Sequence, residues 1–471
     1  MTDPPHDPIA TPVDRRTVIR VGLAAAALAA LPRPLYATDA PDGGAEPNER
    51  PYLDAARRAE RWIRSARIPT EHGVVWPADP RDPKTVALDL YNGWPGVVLF
   101  YLELHHATGD GSALAEARAG GDELLAAVTT GDTIAGSGLY EGAAGVGFVL
   151  AELHAATGDE RYRDGARRGF ELVMGRARHV DDGAEWGASA NMATTDIISG
   201  GAGIGLALLS WYRRSGDRAA IELATQAGRR LVRVAIPDGA DLKWAMTPSF
   251  PRQMPNFSHG TAGVAYFLAE LSAAANERAF LAAAAQGAQY LQRIAACSND
   301  ACTIFHHTGD GEQLFYLGWC HGPAGTSRLF HRLGQLTGDR SMHAWVGRGA
   351  RGISSSGIPE TRTAGFWNNV SVCCGNAGVA DFFLHLHRSG GEAGALAFAE
   401  RVVADLMRRA TDDARGLRWL QAENRVQPDV VVAQTGYMQG AAGIGSVLLR
   451  FDALQRGRPV RVVWPDSPWP A

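Results

Sequence analysis

From about Tyr52 the chain alternates between two helical patterns. Segments 53–66, 113–128, 161–176, 218–234, 279–295 and 395–409 mix Ala, Leu, Arg and Glu, with apolar residues three and four apart. Each predicts an amphipathic helix with one wet face. Between them run helical stretches nearly free of charge for two turns, such as the one from Gly142 to Leu150. A helix that is apolar all round is a buried helix. The punctuation between the two kinds is regular: Thr108-Gly109-Asp110, Thr157-Gly158-Asp159, Ser215-Gly216-Asp217 and Thr337-Gly338-Asp339 end several of the apolar stretches. Glycine there predicts a helix C-cap, and Asp the start of the next turn.

Every apolar stretch opens on Gly-x-x-Gly. The first glycines of the copies are Gly93, Gly142, Gly200, Gly260, Gly322, Gly375 and Gly440, spaced by 49, 58, 60, 62, 53 and 65 residues. Self-similarity at such spacing reads as one closed or stacked array rather than as several domains. Seven helix pairs, with the apolar helices inside, predict an all-α fold: an α/α toroid of seven inner and seven outer helices. The glycines are expected to let the inner helices converge at one end, and the helix N-termini to offer free N–H groups to a central cavity. Tryptophans recur upstream of the motifs (Trp76, Trp186, Trp244, Trp367, Trp419), as cavity lining or as packing.

Boundaries follow from composition. Residues 1–37 contain Arg15-Arg16, a short apolar run and a small-residue exit at Ala37. That order predicts a secretory signal of the twin-arginine type, an exported protein and no transmembrane domain in the mature chain. Residues 38–50 are Pro/Gly-rich and read as a linker, 51–460 as the toroid and 461–471 as a C-terminal tail. A net charge of −4 gives no support to a nucleic-acid partner.

The residues just before the motif glycines carry the candidate chemistry. Cys320, Cys373 and Cys374 all stand there. Thiolates select zinc, and three protein ligands with an open fourth place describe a catalytic zinc site for one ion. The alternative is a pair of buried structural thiols with a chance neighbour. His321 follows Cys320 and is a candidate ligand, a partner of the ligands, or a polar helix start. His259 holds the same motif position in the preceding copy and suits a general acid/base, or else is an ordinary buried histidine. Asp196 reads as a second acid/base group or as a helix cap. Trp319 and Glu141 adjoin the same positions and are candidates for the cavity. Cys297 and Cys302 are spaced to pair as a small-loop disulfide in an oxidising compartment.

Taken together, Gly93–Gly96, Asp196–Gly200, Ser258–Gly260 and Trp319–Gly322 resemble the lanthionine synthetase C-like family over roughly 52–460. The resemblance implies a double-layered toroid with zinc at its mouth. It implies activation of a peptide thiol that adds to a dehydroalanine or dehydrobutyrine, forming a thioether. Carried over by position, Cys320 and Cys373 match two zinc ligands, and Asp196 and His259 match the acid/base residues. Cys374 stands where most members have histidine. A third thiolate makes the metal a poorer Lewis acid for water and a bound thiolate more nucleophilic, which favours addition over hydrolysis. The implied partners are a peptide or other thiol-bearing substrate and a separate dehydratase. Two other readings remain: a toroidal carbohydrate-active enzyme using Glu141 or Asp196 with another carboxylate, and a non-catalytic zinc-bearing module that binds peptides or thiols.

Overall fold

A computed structural model describes residues 49–469, apart from 190, 191 and 251. The expected twin-arginine signal lies outside the described residues. Fourteen α-helices occur among the described residues. Seven carry the Gly-x-x-Gly starts: α2 (Trp94–Thr108), α4 (Ala143–Thr157), α6 (Gly201–Ser215), α8 (Thr261–Ala274), α10 (Pro323–Thr337), α12 (Asn376–Arg388) and α14 (Ala441–Gln455). Each packs on the next, and α14 returns to α2, so the inner ring is closed. The others are α1 (Pro51–Ser65), α3 (Gly111–Thr130), α5 (Glu160–Gly175), α7 (Arg218–Arg233), α9 (Arg278–Ile294), α11 (Arg340–Ser354) and α13 (Ala395–Arg409). They form the outer layer, and the molecule is the α/α toroid expected.

The pairing of layers follows the Gly-Asp punctuation. An outer helix packs chiefly on the inner helix that precedes it, across a tight corner, and α1 packs on α14. Gly109, Gly158, Gly216 and Gly338 take left-handed φ of 71°, 67°, 74° and 70°. Asp110, Asp159, Asp217 and Asp339 then accept a hydrogen bond from the backbone N–H two residues on, as N-caps. Short antiparallel hairpins follow several outer helices, for instance Arg178–Val180 with Gly183–Glu185. The indoles of Trp186, Trp244 and Trp419 donate to the carbonyls of Val173, Leu231 and Leu406 at 2.9, 2.8 and 2.7 Å. These tryptophans therefore close the ends of outer helices and pack in the core; they do not line the cavity.

The glycine motif has a different cause from helix convergence. The loop before each inner helix curls under the helix start. In α6 the amides of Gly201, Ala202 and Gly203 donate to the carbonyls of Thr194, Thr195 and Asp196 at 3.0, 3.1 and 3.0 Å. In α12 those of Asn376, Ala377 and Gly378 donate to Asn369, Val370 and Ser371. The N–H groups expected to face a ligand are thus already satisfied by the chain's own loop. That loop leaves no room for a side chain: a Cβ on Gly443 stands 1.8 Å from the Tyr437 oxygen, and one on Gly378 2.0 Å from that of Val372.

Residues 462–469 of the expected C-terminal tail pack into the interior. Trp464 stacks on Tyr140 (centroids 5.4 Å apart), and Trp469 lies 4.1 Å from His331 on α10 and 5.7 Å from His385 on α12. Asp466 accepts from Tyr140 Oη at 3.0 Å and Trp319 Nε1 at 3.1 Å. Contact with inner helices on several sides of the ring puts this strand of chain in the lumen. Burial of two indoles explains why it does not stay in solvent. No helix among the described residues is long and apolar enough to cross a membrane.

Replacing Gly443 by alanine drives its Cβ into a backbone carbonyl that cannot move alone, and is expected to cost about 3 kcal/mol or more. Gly111, with nothing within 4 Å of its Cβ position, is expected to tolerate alanine or gain about 0.5–1 kcal/mol. Urea unfolding of Gly443→Ala and Gly111→Ala compares them directly; equal midpoints would remove the loop carbonyl as the reason for the motif.

Candidate metal centre and its cavity

The seven loops are stitched to one another by their backbones. Met438 N–H donates to Tyr91 O, Tyr91 to Tyr140, Tyr140 to Ile198, Ile197 to Ser258, Ser258 to Cys320, Cys320 to Cys373, and Cys373 to Met438, at 2.8–3.2 Å. Apart from Ile197, each of these residues stands two places before its motif glycine. The ring of bonds holds those residues, and their neighbours one place on, around a cavity of about 560 Å³. Tyr91, Glu141, His259, Cys320, His321, Cys373, Cys374 and Gln439 all line it.

Cys320, Cys373 and Cys374 meet there, all three buried. The Cys374 Sγ lies 3.3 Å from that of Cys320 and 3.4 Å from that of Cys373. They form the one cluster of His, Cys, Asp and Glu among the described residues with metal-holding spacing. His321 does not join it. Burial and the neighbouring thiols push Cys320 and Cys373 well above the ordinary thiol range, and hydrogen bonds from both pull Cys374 well below it. Without a cation, three thiolates so close repel one another, and the cluster carries fewer than three negative charges. Around a tetrahedral zinc with bonds of about 2.3 Å, sulfurs stand roughly 3.8 Å apart. The two separations from Cys374 fall about half an ångström short of that spacing, and all three sulfurs lie within 4.8 Å of one another, so the donor set fits a soft divalent metal.

Two polar groups outside the motif cysteines hold the cluster. Tyr91 Oη donates to Cys373 Sγ at 3.0 Å, and Gln439 Nε2 donates to Tyr91 Oη at 2.8 Å. Both escaped the sequence reading. Their signal was available, since Tyr91 and Gln439 occupy the same two pre-glycine positions as the cysteines. His306 and Tyr316, which also line the cavity, come from the long loop before α10 and carry no motif signal.

Across the cavity His259 Nδ1 pairs with Asp196 Oδ2 at 2.6 Å. Burial of the imidazole opposes its protonation, but the Asp196 carboxylate outweighs it and raises the His259 pKa above 6.5. Asp196 Oδ1 accepts the Ser199 amide at 3.0 Å in the turn before α6, whose N-cap is Gly200 without a side-chain bond, so this residue shapes the loop and partners the histidine but does not cap the helix. Glu141 accepts from Ser199 Oγ at 2.7 Å. The Trp319 indole is turned into the lumen, against Asp466, and lies outside the cavity. His321 is buried, and neither ring nitrogen has a hydrogen-bond partner. Cys297 and Cys302 form a disulfide across the hairpin after α9.

The family model for lanthionine synthetase C-like proteins matches residues 84–466. Among solved structures, a nisin cyclase superposes with a TM-score of 0.60 at 16% identity, covering 84% of this chain and 93% of its own. An α-1,6-mannanase from Salegentibacter sp. gives a TM-score of 0.46 at 14% identity, covering 86% and 99%. The likeness to the nisin cyclase is one of fold. No curated protein matches the sequence.

The Asp196–His259 pair yields a titration with a definite sign. His259 is expected to titrate above 6.5 in the wild type, and below it in Asp196→Asn, where burial acts without the carboxylate. The pair's contribution to stability is full below 6.5 and is lost as pH rises through the raised value. Asp196→Asn should therefore cost more stability at about pH 6 than at about pH 9. NMR of ¹³C-histidine-labelled protein and urea midpoints at both pH values test this; an unchanged His259 titration in the variant would discard the carboxylate as its cause.

Proposed function

This chain belongs to the lanthionine synthetase C-like family, and from that premise we propose that it is a zinc-dependent enzyme adding a thiol to a dehydroamino acid. The observation that carries the reading is the juxtaposition, in one cavity, of three buried thiols with His259, which Asp196 holds from behind the wall. Neither of the other two readings explains both halves of that arrangement.

Cys320, Cys373 and Cys374, which line the cavity, would hold the ion. Zinc, when bound, supplies the charge that keeps a substrate thiol ionised at neutral pH. The Tyr91 hydroxyl shares the charge on Cys373, and Gln439 keeps that hydroxyl aimed. The thiolate sulfur forms a bond to the β-carbon of the dehydro residue, and the C=C π pair passes to its carbonyl. His259, held by Asp196, delivers a proton to the α-carbon. The thiol's own proton leaves through solvent and restores the balance. The substrate is a peptide or another thiol-bearing molecule, and a separate dehydratase supplies the dehydro residue.

Export belongs to the same reading. It rests on Arg15-Arg16 with the apolar run after them, and the Cys297–Cys302 disulfide suits an oxidising compartment. Twin-arginine transport carries folded proteins, so the metal can be loaded before export.

Elemental analysis of the purified protein is expected to give one zinc per chain, and none in Cys374→Ala at unchanged helical content. His259→Ala is expected to keep its zinc and lose about 10²–10⁴-fold in thioether formation, followed by mass spectrometry on a peptide bearing cysteine and dehydroalanine. A wild-type protein free of zinc, or a His259→Ala variant at full rate, would overturn the corresponding part of the proposal. Replacing Arg15 and Arg16 by lysine is expected to retain the chain in the cytoplasm on cell fractionation; undiminished export would discard the twin-arginine route.

A further inference from the structure

His321 is the least explained group in the cavity. The residue is only 7% exposed, yet neither ring nitrogen meets a partner. Burying such a group unpaired is costly, and it lines the cavity beside the thiol cluster. The ring stacks on His306 with centroids 4.1 Å apart and meets Tyr316 edge-on at 5.6 Å. It stands 5.5 Å from the His259 ring. The stack locks its plane, so its open hydrogen-bonding positions are fixed in direction.

The His306 side of the stack is fixed as well. Asp310 accepts from His307 Nε2 at 3.0 Å, and the Nδ1 atoms of His306 and His307 lie 2.7 Å apart. With His307 donating to Asp310 through Nε2, its Nδ1 is the acceptor in the contact with His306. His306 therefore donates through Nδ1 and keeps Nε2 as an acceptor. Burial, followed by the charges of His307, Arg425 and His259, lowers the His306 pKa to about 3, so the ring is neutral at ordinary pH. Arg425 also reaches this corner, lying against the Tyr316 hydroxyl and lining the cavity. One unused donor, one unused acceptor and a guanidinium thus converge within reach of the thiol cluster.

The geometry points to an amide-binding subsite, in which His321 donates to the carbonyl oxygen of the dehydro residue and His306 Nε2 accepts a peptide N–H. This rests on the thiol-addition reading of the site and adds to it the acceptor's recognition. When sulfur bonds to the β-carbon, the C=C π pair moves through the α-carbon onto that carbonyl oxygen. The charge returns to carbon as His259 protonates it. The His321 donor is aimed at the atom where negative charge develops, and Arg425 adds a positive field there. A preorganised donor of this kind acts on the transition state more than on binding.

The test uses the full chain and a peptide with one cysteine and one dehydroalanine. His321→Phe keeps a flat ring for the stack and removes both nitrogens. It is expected to lower kcat for thioether formation by about 10²-fold or more with little change in KM. Thiol capture is read separately, from the thiolate-to-cobalt absorption of cobalt-loaded protein on adding N-acetylcysteine, and is expected to stay at the wild-type level. His321→Gln restores an N–H donor and is expected to recover a measurable part of the lost rate. Full turnover by His321→Phe, or a loss of rate matched by loss of the cobalt signal, overturns the subsite and leaves the thiol-addition reading standing. A metal-loaded wild type that never forms a thioether overturns both.

Discussion

The closed ring of backbone hydrogen bonds among the seven pre-helix loops is the constraint on which the structure depends. Each loop gives its amide to the carbonyl of the next, and the last bond returns from Cys373 through Met438 to Tyr91. A ring of this kind closes only if every loop has nearly the same shape and height. The requirement explains why the same Gly-x-x-Gly recurs across a chain whose other loops vary freely in length. It also brings the two residues before each first glycine to one rim. A single substitution at that position places a new group beside all the others, without any change of scaffold.

That arrangement is what makes the thiol cluster possible. Cys320 and Cys373 are ring members in adjacent loops, joined by the bond from one's amide to the other's carbonyl at 3.1 Å. Cys374 is the next residue along. The scaffold thus holds three sulfurs together before any metal is considered, at a cost in charge repulsion that a divalent cation relieves. The third loop is the one that departs from the pattern, bonding through Ile197 in place of Ile198. Asp196 immediately precedes that departure and grips His259 from there. From the lumen side, Asp466 ties Trp319 and Tyr140 to the C-terminal segment, so the rim is braced from within as well as around its circumference.

Much of this was open to reading from the residues alone. Alternating wet and dry helical periodicity, the Gly-Asp corners and the repeated glycines specify two layers of helices in a closed array. The placement of Cys320, Cys373 and Cys374 beside those glycines predicts their meeting. Tyr91 and Gln439 are legible by the same rule, since both are polar residues at the two pre-glycine positions. His306, Tyr316 and Arg425 were not, because they sit on irregular loops whose course no local pattern encodes. What the C-terminal segment packs against was not legible either, because a short, proline-containing stretch looks the same whether it trails in solvent or fills a lumen.

By itself the sequence determined the local conformations: which segments are helical, where they cap, and which faces are dry. It also determined that chemistry would gather at one repeated position, since a repeat converts a sequence register into a spatial one. Only the tertiary structure decided what the glycines are for, which tryptophans pack and which polar groups meet. Those outcomes depend on contacts between residues tens to hundreds of positions apart, as with Tyr91 and Cys373. Such contacts exist only after the ring has closed, and no periodicity within a single segment contains them.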